Sequence, residues 1–272
     1  MHNQTLFNAG TDKPGAQMRG SSATPWLVIN RPNPQARLRL FCFPYAGGGA
    51  ATYHAWPGEL PTEVEVCAVQ LPGRASRSRE SPYDRLKQLV EALAPAVLPY
   101  LDRPYAFFGH SMGALIAFEL TRRLRREADT SPAHLFVSGR RAPQLPRTNP
   151  PIHDLPEAEF VQALRRLNGT PDEVLAHPEL MELMLPLLRA DFAAVGTYEY
   201  TPEPALACPI TAYGGLQDHE VSRAQLEAWR TQTTGGFTLR MLPGDHFYLQ
   251  TGRALLLRSL FRELHELLLT TT

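Results

Sequence analysis

The chain has 272 residues, 43% of them hydrophobic and 20% charged, a balance that fits a globular fold and excludes a disordered or fibrous chain. Its 27 Lys and Arg offset 27 Asp and Glu, so nothing in the overall charge points to nucleic acid. No apolar run is long enough to span a bilayer. Residues 1–25 are polar, carry Gly, Pro, Ser and Asn, and lack the apolar stretch of a signal peptide; a disordered extension before one domain over 26–272 is expected. Cys42, Cys67 and Cys208 lie far apart, with neither metal-ligand spacing nor a disulfide pattern. The expectation is a cytoplasmic protein without a metal.

Residues 37–43 read as the first core strand, followed by Pro44-Tyr45-Ala46-Gly47-Gly48-Gly49. A glycine run after a strand can cradle a phosphate, but no Walker A lysine follows and no G-x-G-x-x-G occurs. Residues 64–71 form a second strand, leading to Arg74, Arg77 and Arg79. A helix over 84–98, broken or kinked near Pro95, comes next.

Tyr105-Ala106-Phe107-Phe108 then reads as a buried strand, and Gly109-His110-Ser111-Met112-Gly113 matches G-x-S-x-G before an apolar helix. On its own the pentapeptide is a glycine-rich turn with an incidental serine. Between a strand and a helix it is a nucleophile elbow, where flanking glycines let the chain turn sharply and leave the hydroxyl exposed.

Residues 133–139 give a further strand, and then the alternation stops. Pro143, Pro146, Pro150 and Pro151 mark an exit from the sheet, and two helices, 157–167 and 178–195, follow without a strand between them. This insertion, about 142–200, is either a structural helical pair or a lid over the serine. Its position favours the lid, with Met184, Leu188 and Phe192 as candidates to line an acyl channel.

The strand at 208–213 carries Asp218 on its exit loop, and the strand at 237–242 carries His246 on the next. A final helix covers 253–269. Serine, acid and histidine thus occur in the chain order of an α/β-hydrolase, each beyond the end of a strand. A hydroxyl needs a base to become a nucleophile, and a carboxylate fixes the tautomer of that base. Ser111, Asp218 and His246 are the candidate catalytic residues. Backbone N–H groups of Met112 and Ala46 are the candidate oxyanion donors. His110 is read as orienting the turn, His134 and His265 as structural, and His54 as a second-rank neighbour of the site. The fold expected is α/β: a mostly parallel sheet covered by helices on both faces, with a helical lid.

Five blocks carry a resemblance that extends from about Leu38 to the last helix: Phe43-Pro44-Tyr45-Ala46-Gly47-Gly48, Val69-Gln70-Leu71-Pro72-Gly73-Arg74, Gly109-His110-Ser111-Met112-Gly113-Ala114, Leu187-Leu188-Arg189-Ala190-Asp191 and Gly244-Asp245-His246-Phe247. Together they resemble the type II thioesterases, the stand-alone proofreading enzymes of polyketide synthases and non-ribosomal peptide synthetases. Tyr45 departs from the family, which usually has histidine there.

The resemblance implies an α/β-hydrolase without a cofactor of its own. It implies hydrolysis of aberrant or stalled acyl thioesters from the phosphopantetheine arm of an acyl or peptidyl carrier protein. No G-x-D-S attachment motif occurs in the chain, so the carrier is expected in trans. Carrier proteins are generally acidic, which makes Arg74, Arg77 and Arg79 docking candidates. A medium-chain fatty-acid-synthase thioesterase and a general carboxylesterase are the alternative enzymes; a catalytically dead binding module is the alternative of another class.

Overall fold

The computed structural model describes residues 24–147, 149–169 and 172–270. The extension expected at the N-terminus lies, through residue 23, outside them.

Seven strands form one sheet: β1 (Leu27–Val28), β2 (Leu38–Phe43), β3 (Val64–Val69), β4 (Tyr105–His110), β5 (His134–Ser138), β6 (Ile210–Gly215) and β7 (Phe237–Leu242). Their spatial order is β1-β3-β2-β4-β5-β6-β7, with β1 antiparallel and every other pairing parallel. β3, β4 and β6 are buried at every position, as strands covered on both faces must be.

The two-residue period of a strand divides their side chains between two cores. Phe41, Phe43, Phe107 and Val137 join the helices α1 (Leu86–Val97) and α2 (Met112–Ala128) on one face. Leu40, Cys42, Phe108 and Phe136 join Leu256, Leu260 and Leu264 of the C-terminal helix on the other. All three cysteines are buried and unpaired.

Between β5 and β6 the chain leaves the sheet as α3 (Glu157–Leu167), α4 (Asp172–Leu175) and α5 (Pro178–Gly196). Their own small core gathers Phe160, Leu164, Leu175, Met181, Leu185 and Leu188. The short helices α6 (Arg223–Glu227) and α7 (Tyr248–Thr251) and the long α8 (Arg253–Thr270) complete the fold.

Three details depart from the sequence reading. β1 was not anticipated, since two residues are too few to show a period. β6 starts at Ile210 and runs through both glycines to Gly215. The stretch just before it bonds elsewhere: Thr233 Oγ1 donates to the Cys208 carbonyl at 2.6 Å, and Pro209 has no N–H to offer a ladder. Pro95 does not break α1; it sits in the last turn, after which the chain tightens into a 3₁₀ turn, Leu98–Tyr100.

His134, at the start of β5, is structural, as read from the sequence. Its ring stacks on Phe136 at 4.2 Å, and its Nε2 lies 2.9 Å from Thr211 Oγ1. That hydroxyl itself donates to Glu263 at 2.5 Å, so Nε2 is the donor in this contact. Burial pushes its pKa down to about 4. An unfolded chain takes up this proton near pH 6.5 and the native one does not. Stability from this group is therefore present above pH 6.5 and is lost as pH falls toward 4. His134→Gln should reduce the slope of stability against pH in this window by about 1.4 kcal/mol per unit, read from urea midpoints between pH 7 and 5. An unchanged slope would contradict the neutral assignment.

Candidate active site

Ser111 stands between β4 and α2 with φ 53° and ψ −112°, a backbone region that costs a non-glycine residue energy. Its N–H donates to the Ser138 carbonyl at 2.8 Å, tying the turn to β5. The glycines beside it are dictated by contact. A Cβ at Gly109 would lie 2.1 Å from the Gly113 carbonyl oxygen, and one at Gly113 would lie 2.0 Å from the Phe43 carbonyl oxygen. The turn is this sharp only because the start of α2 presses against the end of β2.

Asp218 and His246 leave the ends of β6 and β7, neighbours in the sheet. His246 Nδ1 is 2.8 Å from Asp218 Oδ2, and the Asp218 side chain is wholly buried. The other carboxylate oxygen accepts from the N–H groups of Glu220 at 2.7 Å and Val221 at 3.1 Å. An acceptor-only carboxylate against Nδ1 places a proton there and leaves Nε2 as the nitrogen free to act as a base. Ser111 and His246 line one cavity of about 430 Å³.

Ala46 and Met112 line the same cavity. Met112 is the first residue of α2, where backbone N–H groups lack acceptors within the helix. Ala46 lies on the loop after β2, which is folded by a bond from Gly48 N–H to the Tyr45 carbonyl at 2.9 Å and by Gly47 at φ 79°. Tyr45, the unusual residue of this loop, receives a hydrogen bond from Gln250 Nε2 at 2.8 Å. Its ring stands edge-on to Phe247.

The insertion roofs this cavity. Leu188 and Phe192 of α5 line it, as expected; Met184 does not, and packs instead against the small core of α3–α5. Met184 shares a helix face with Leu188 and Phe192 but stands one and two turns further from the cavity, where Met181 and Leu185 form the interior of the lid. The far half of α5 is firmly held. Asp191 accepts from Gly47 N–H at 2.7 Å and from both terminal nitrogens of Arg74, at 2.8 and 2.7 Å. Arg74 also donates to the Gly48 carbonyl at 2.9 Å. Asp191 is thus committed to the loop after β2 and to Arg74, and not to His246.

These contacts correct the docking assignment. Arg74 is buried in its pair with Asp191. Arg77 is buried too, with Nη1 on the Gln70 carbonyl at 2.9 Å, Glu80 on its other nitrogens and its guanidinium 4.0 Å from the Trp26 ring. The run suggested an exposed docking patch because only Ala and Ser separate its arginines. Of the three, Arg79 alone is exposed.

Other histidines and acids resolve similarly. His110 is fully buried, with Nδ1 2.9 Å from Ser138 Oγ, which in turn bonds the Tyr248 hydroxyl. Burial, with His246 nearby, holds its pKa well below the ordinary value, so it adds no charge beside the basic ring. Asp245 accepts from Phe247 N–H and from Asn168 Nδ2, joining the end of α3 to the loop of His246. His54 and His219 are exposed. The sequence reading missed Arg140 and Arg141, which line the cavity just beyond β5. Two arginines at the carboxyl end of a core strand were the available signal. Among the described residues no group of three metal-ligating side chains occurs, and no helix is long and apolar enough to cross a membrane.

Comparison with known proteins agrees with this geometry. A family model described as "Thioesterase domain" matches residues 38–268. The gramicidin S biosynthesis protein GrsT of Aneurinibacillus migulanus is 50% identical over 229 residues, which cover 84% of this chain and 90% of that one. The thioesterase RedJ from the prodiginine pathway of Streptomyces coelicolor superposes with a TM-score of 0.81 at 42% identity, covering 93% and 100% of the two chains. BorB, a type II thioesterase from the borrelidin biosynthetic cluster, gives 0.80 at 40% identity over 89% and 98%. A family match from β2 to the last helix, with relatives and solved structures at 40–50% identity over most of both chains, makes this chain a member of the thioesterase family, among its type II thioesterases with the α/β-hydrolase fold.

Proposed function

We propose that this enzyme removes aberrant or stalled acyl units from carrier proteins of a polyketide or non-ribosomal peptide assembly line. Ser111, His246 and Asp218 act as its catalytic unit. The observation that carries this reading is the buried Asp218–His246 pair opening onto the cavity of the elbow serine, under a lid whose Leu188 and Phe192 offer an apolar wall.

His246 Nε2 takes the Ser111 proton as Oγ attacks the thioester carbonyl. The oxyanion that forms is held by the N–H groups of Ala46 and Met112, donors of a kind worth about 2.7–4 kcal/mol each. Collapse breaks the C–S bond, and the imidazolium returns the proton to the departing phosphopantetheine thiolate. Water, deprotonated by the same nitrogen, then attacks the acyl-serine, releasing the acid and restoring Ser111.

The test is a panel of acylated carrier proteins set against free thioesters and oxygen esters of the same acyl groups. Carrier-bound thioesters should have the highest kcat/KM, and the carrier should be needed in trans. Preference for an oxygen ester would instead favour a general esterase. Phe192→Ala deepens the apolar wall and should shift the preferred acyl chain longer by one or more carbons at an unchanged triad. An unaltered chain-length profile would remove Phe192 from the acyl channel.

A further inference from the structure

The buried arginines among the described residues are paired: Arg74 with Asp191, Arg77 with Glu80, and Arg122 with Glu119 and Glu203. The cavity breaks that pattern. Arg140, Arg141, Arg147 and Arg166 all line it, and among the described residues none of the four has a carboxylate within ion-pair distance. Glu220 is the one carboxylate among the lining residues, and no ion pair joins it to these arginines.

Arg140 is the best fixed of them. It follows Gly139, at φ 57°, and its carbonyl accepts from the indole of the buried Trp229 at 2.7 Å. Its Nε is shielded from solvent and has no hydrogen-bond partner. Ser138, two residues earlier, receives the N–H of Ser111, so the chain leading to Arg140 leaves the strand beside the nucleophile, and both residues line one cavity. Arg141 donates to the carbonyls of Leu145 and Pro146, which orients it but leaves its charge unneutralised. Arg147 and Arg166 are exposed, toward the rim.

Half-buried cations without counter-ions, as Arg140 and Arg141 are, carry a desolvation cost, and a shielded donor without a partner adds to it. Burial and the charges of Arg141 and Arg147 push the Arg140 pKa down to about 10, so it remains positive at neutral pH. A planar guanidinium with free donors matches an oxyanion in a two-point hydrogen bond.

We infer that Arg140, backed by Arg141 and Arg147, forms an anion subsite of the cavity that binds an oxyanionic group of the thioester substrate. Resting on the thioesterase reading above, this names a charge preference that the triad and apolar wall do not supply. The oxyanion has two possible sources with one chemistry: a carboxylate on the acyl group, or the phosphate of the pantetheine arm.

Two matched pairs of substrates separate them. Succinyl- and butyryl-N-acetylcysteamine differ in a carboxylate; butyryl-4′-phosphopantetheine and butyryl-pantetheine differ in a phosphate. In Arg140→Gln, the kcat/KM ratio of charged to neutral member should fall at least tenfold in one pair, and Arg140→Lys should restore part of it. A fall in the first pair assigns the subsite to the acyl carboxylate, and a fall in the second assigns it to the arm. Ratios unchanged in both pairs overturn the proposal. If Arg140→Gln does not fold, the same ratios in Arg147→Gln decide it, with a smaller fall expected.

Should the wild-type enzyme hydrolyse none of these thioesters, the thioesterase reading fails. The subsite is then judged by calorimetry, comparing 4′-phosphopantetheine with pantetheine and succinate with butyramide. Tighter binding of one anion, lost in Arg140→Gln, supports it; equal binding within both pairs overturns it.

Discussion

Ser111→Ala is expected to lower kcat on an acyl-carrier substrate by on the order of 10⁶-fold while leaving the protein folded. The hydroxyl is small, and the strained turn around it is set by Gly109, Gly113 and the contact between α2 and β2, none of which the substitution touches. His246→Ala should cost a similar factor. The double variant should be scarcely worse than either single one, because a base without a nucleophile has nothing to deprotonate. Losses that multiplied would mean that the two side chains act separately, despite lining one cavity. An acyl-serine trapped with an active-site probe in the wild type, and absent in Ser111→Ala, checks the covalent step independently.

The largest effect on stability should come from Asp191→Ala. Both members of the Arg74–Asp191 pair are nearly inaccessible, at 6% and 4% side-chain exposure. Removing one partner of such a pair leaves an uncompensated buried charge and costs about 3–5 kcal/mol. In a chain of this size that corresponds to a fall in Tm of roughly 10 °C. Replacing both residues with apolar ones of similar volume, Arg74→Met with Asp191→Leu, should cost less than the single change, since no charge is stranded. Activity should still suffer in the double variant. Gly47 N–H loses its acceptor, and Ala46, the adjacent residue proposed as an oxyanion donor, is no longer braced by the lid. Asp191→Asn keeps an acceptor for Gly47 and should recover part of kcat without the full stability. Equal kcat in all three variants would reduce this junction to a structural clasp.

Much of this molecule is written locally. β2, β4 and β7 were legible from short apolar runs bounded by turn residues, and α3, α5 and α8 from helical spacing. The elbow was legible because its glycines are required by the turn itself. Ser111, Asp218 and His246 could be chosen because a parallel sheet brings the ends of successive strands to one edge, so chain order alone restricts which loops can meet. The assignment of Leu188 and Phe192 to the cavity rested on helix spacing, which leaves the orientation of a helix open; Met184 is the member that packing excluded.

What the sequence could not determine was which charges find each other. Arg74 and Arg77 were candidates for an exposed docking patch, yet one meets a carboxylate 117 positions away and the other lies on Trp26. Arg140 and Arg141 drew no reading from the sequence, yet both line the cavity of Ser111. The difference is physical. The period of a strand or helix and the steric demand of a turn act over a few residues, so the sequence by itself determined the sheet, the elbow and the order of the catalytic loops. Burial and ion pairing depend on distances across the whole fold, so only the tertiary structure decided which arginines brace the lid, which stay exposed and which line the cavity of Ser111.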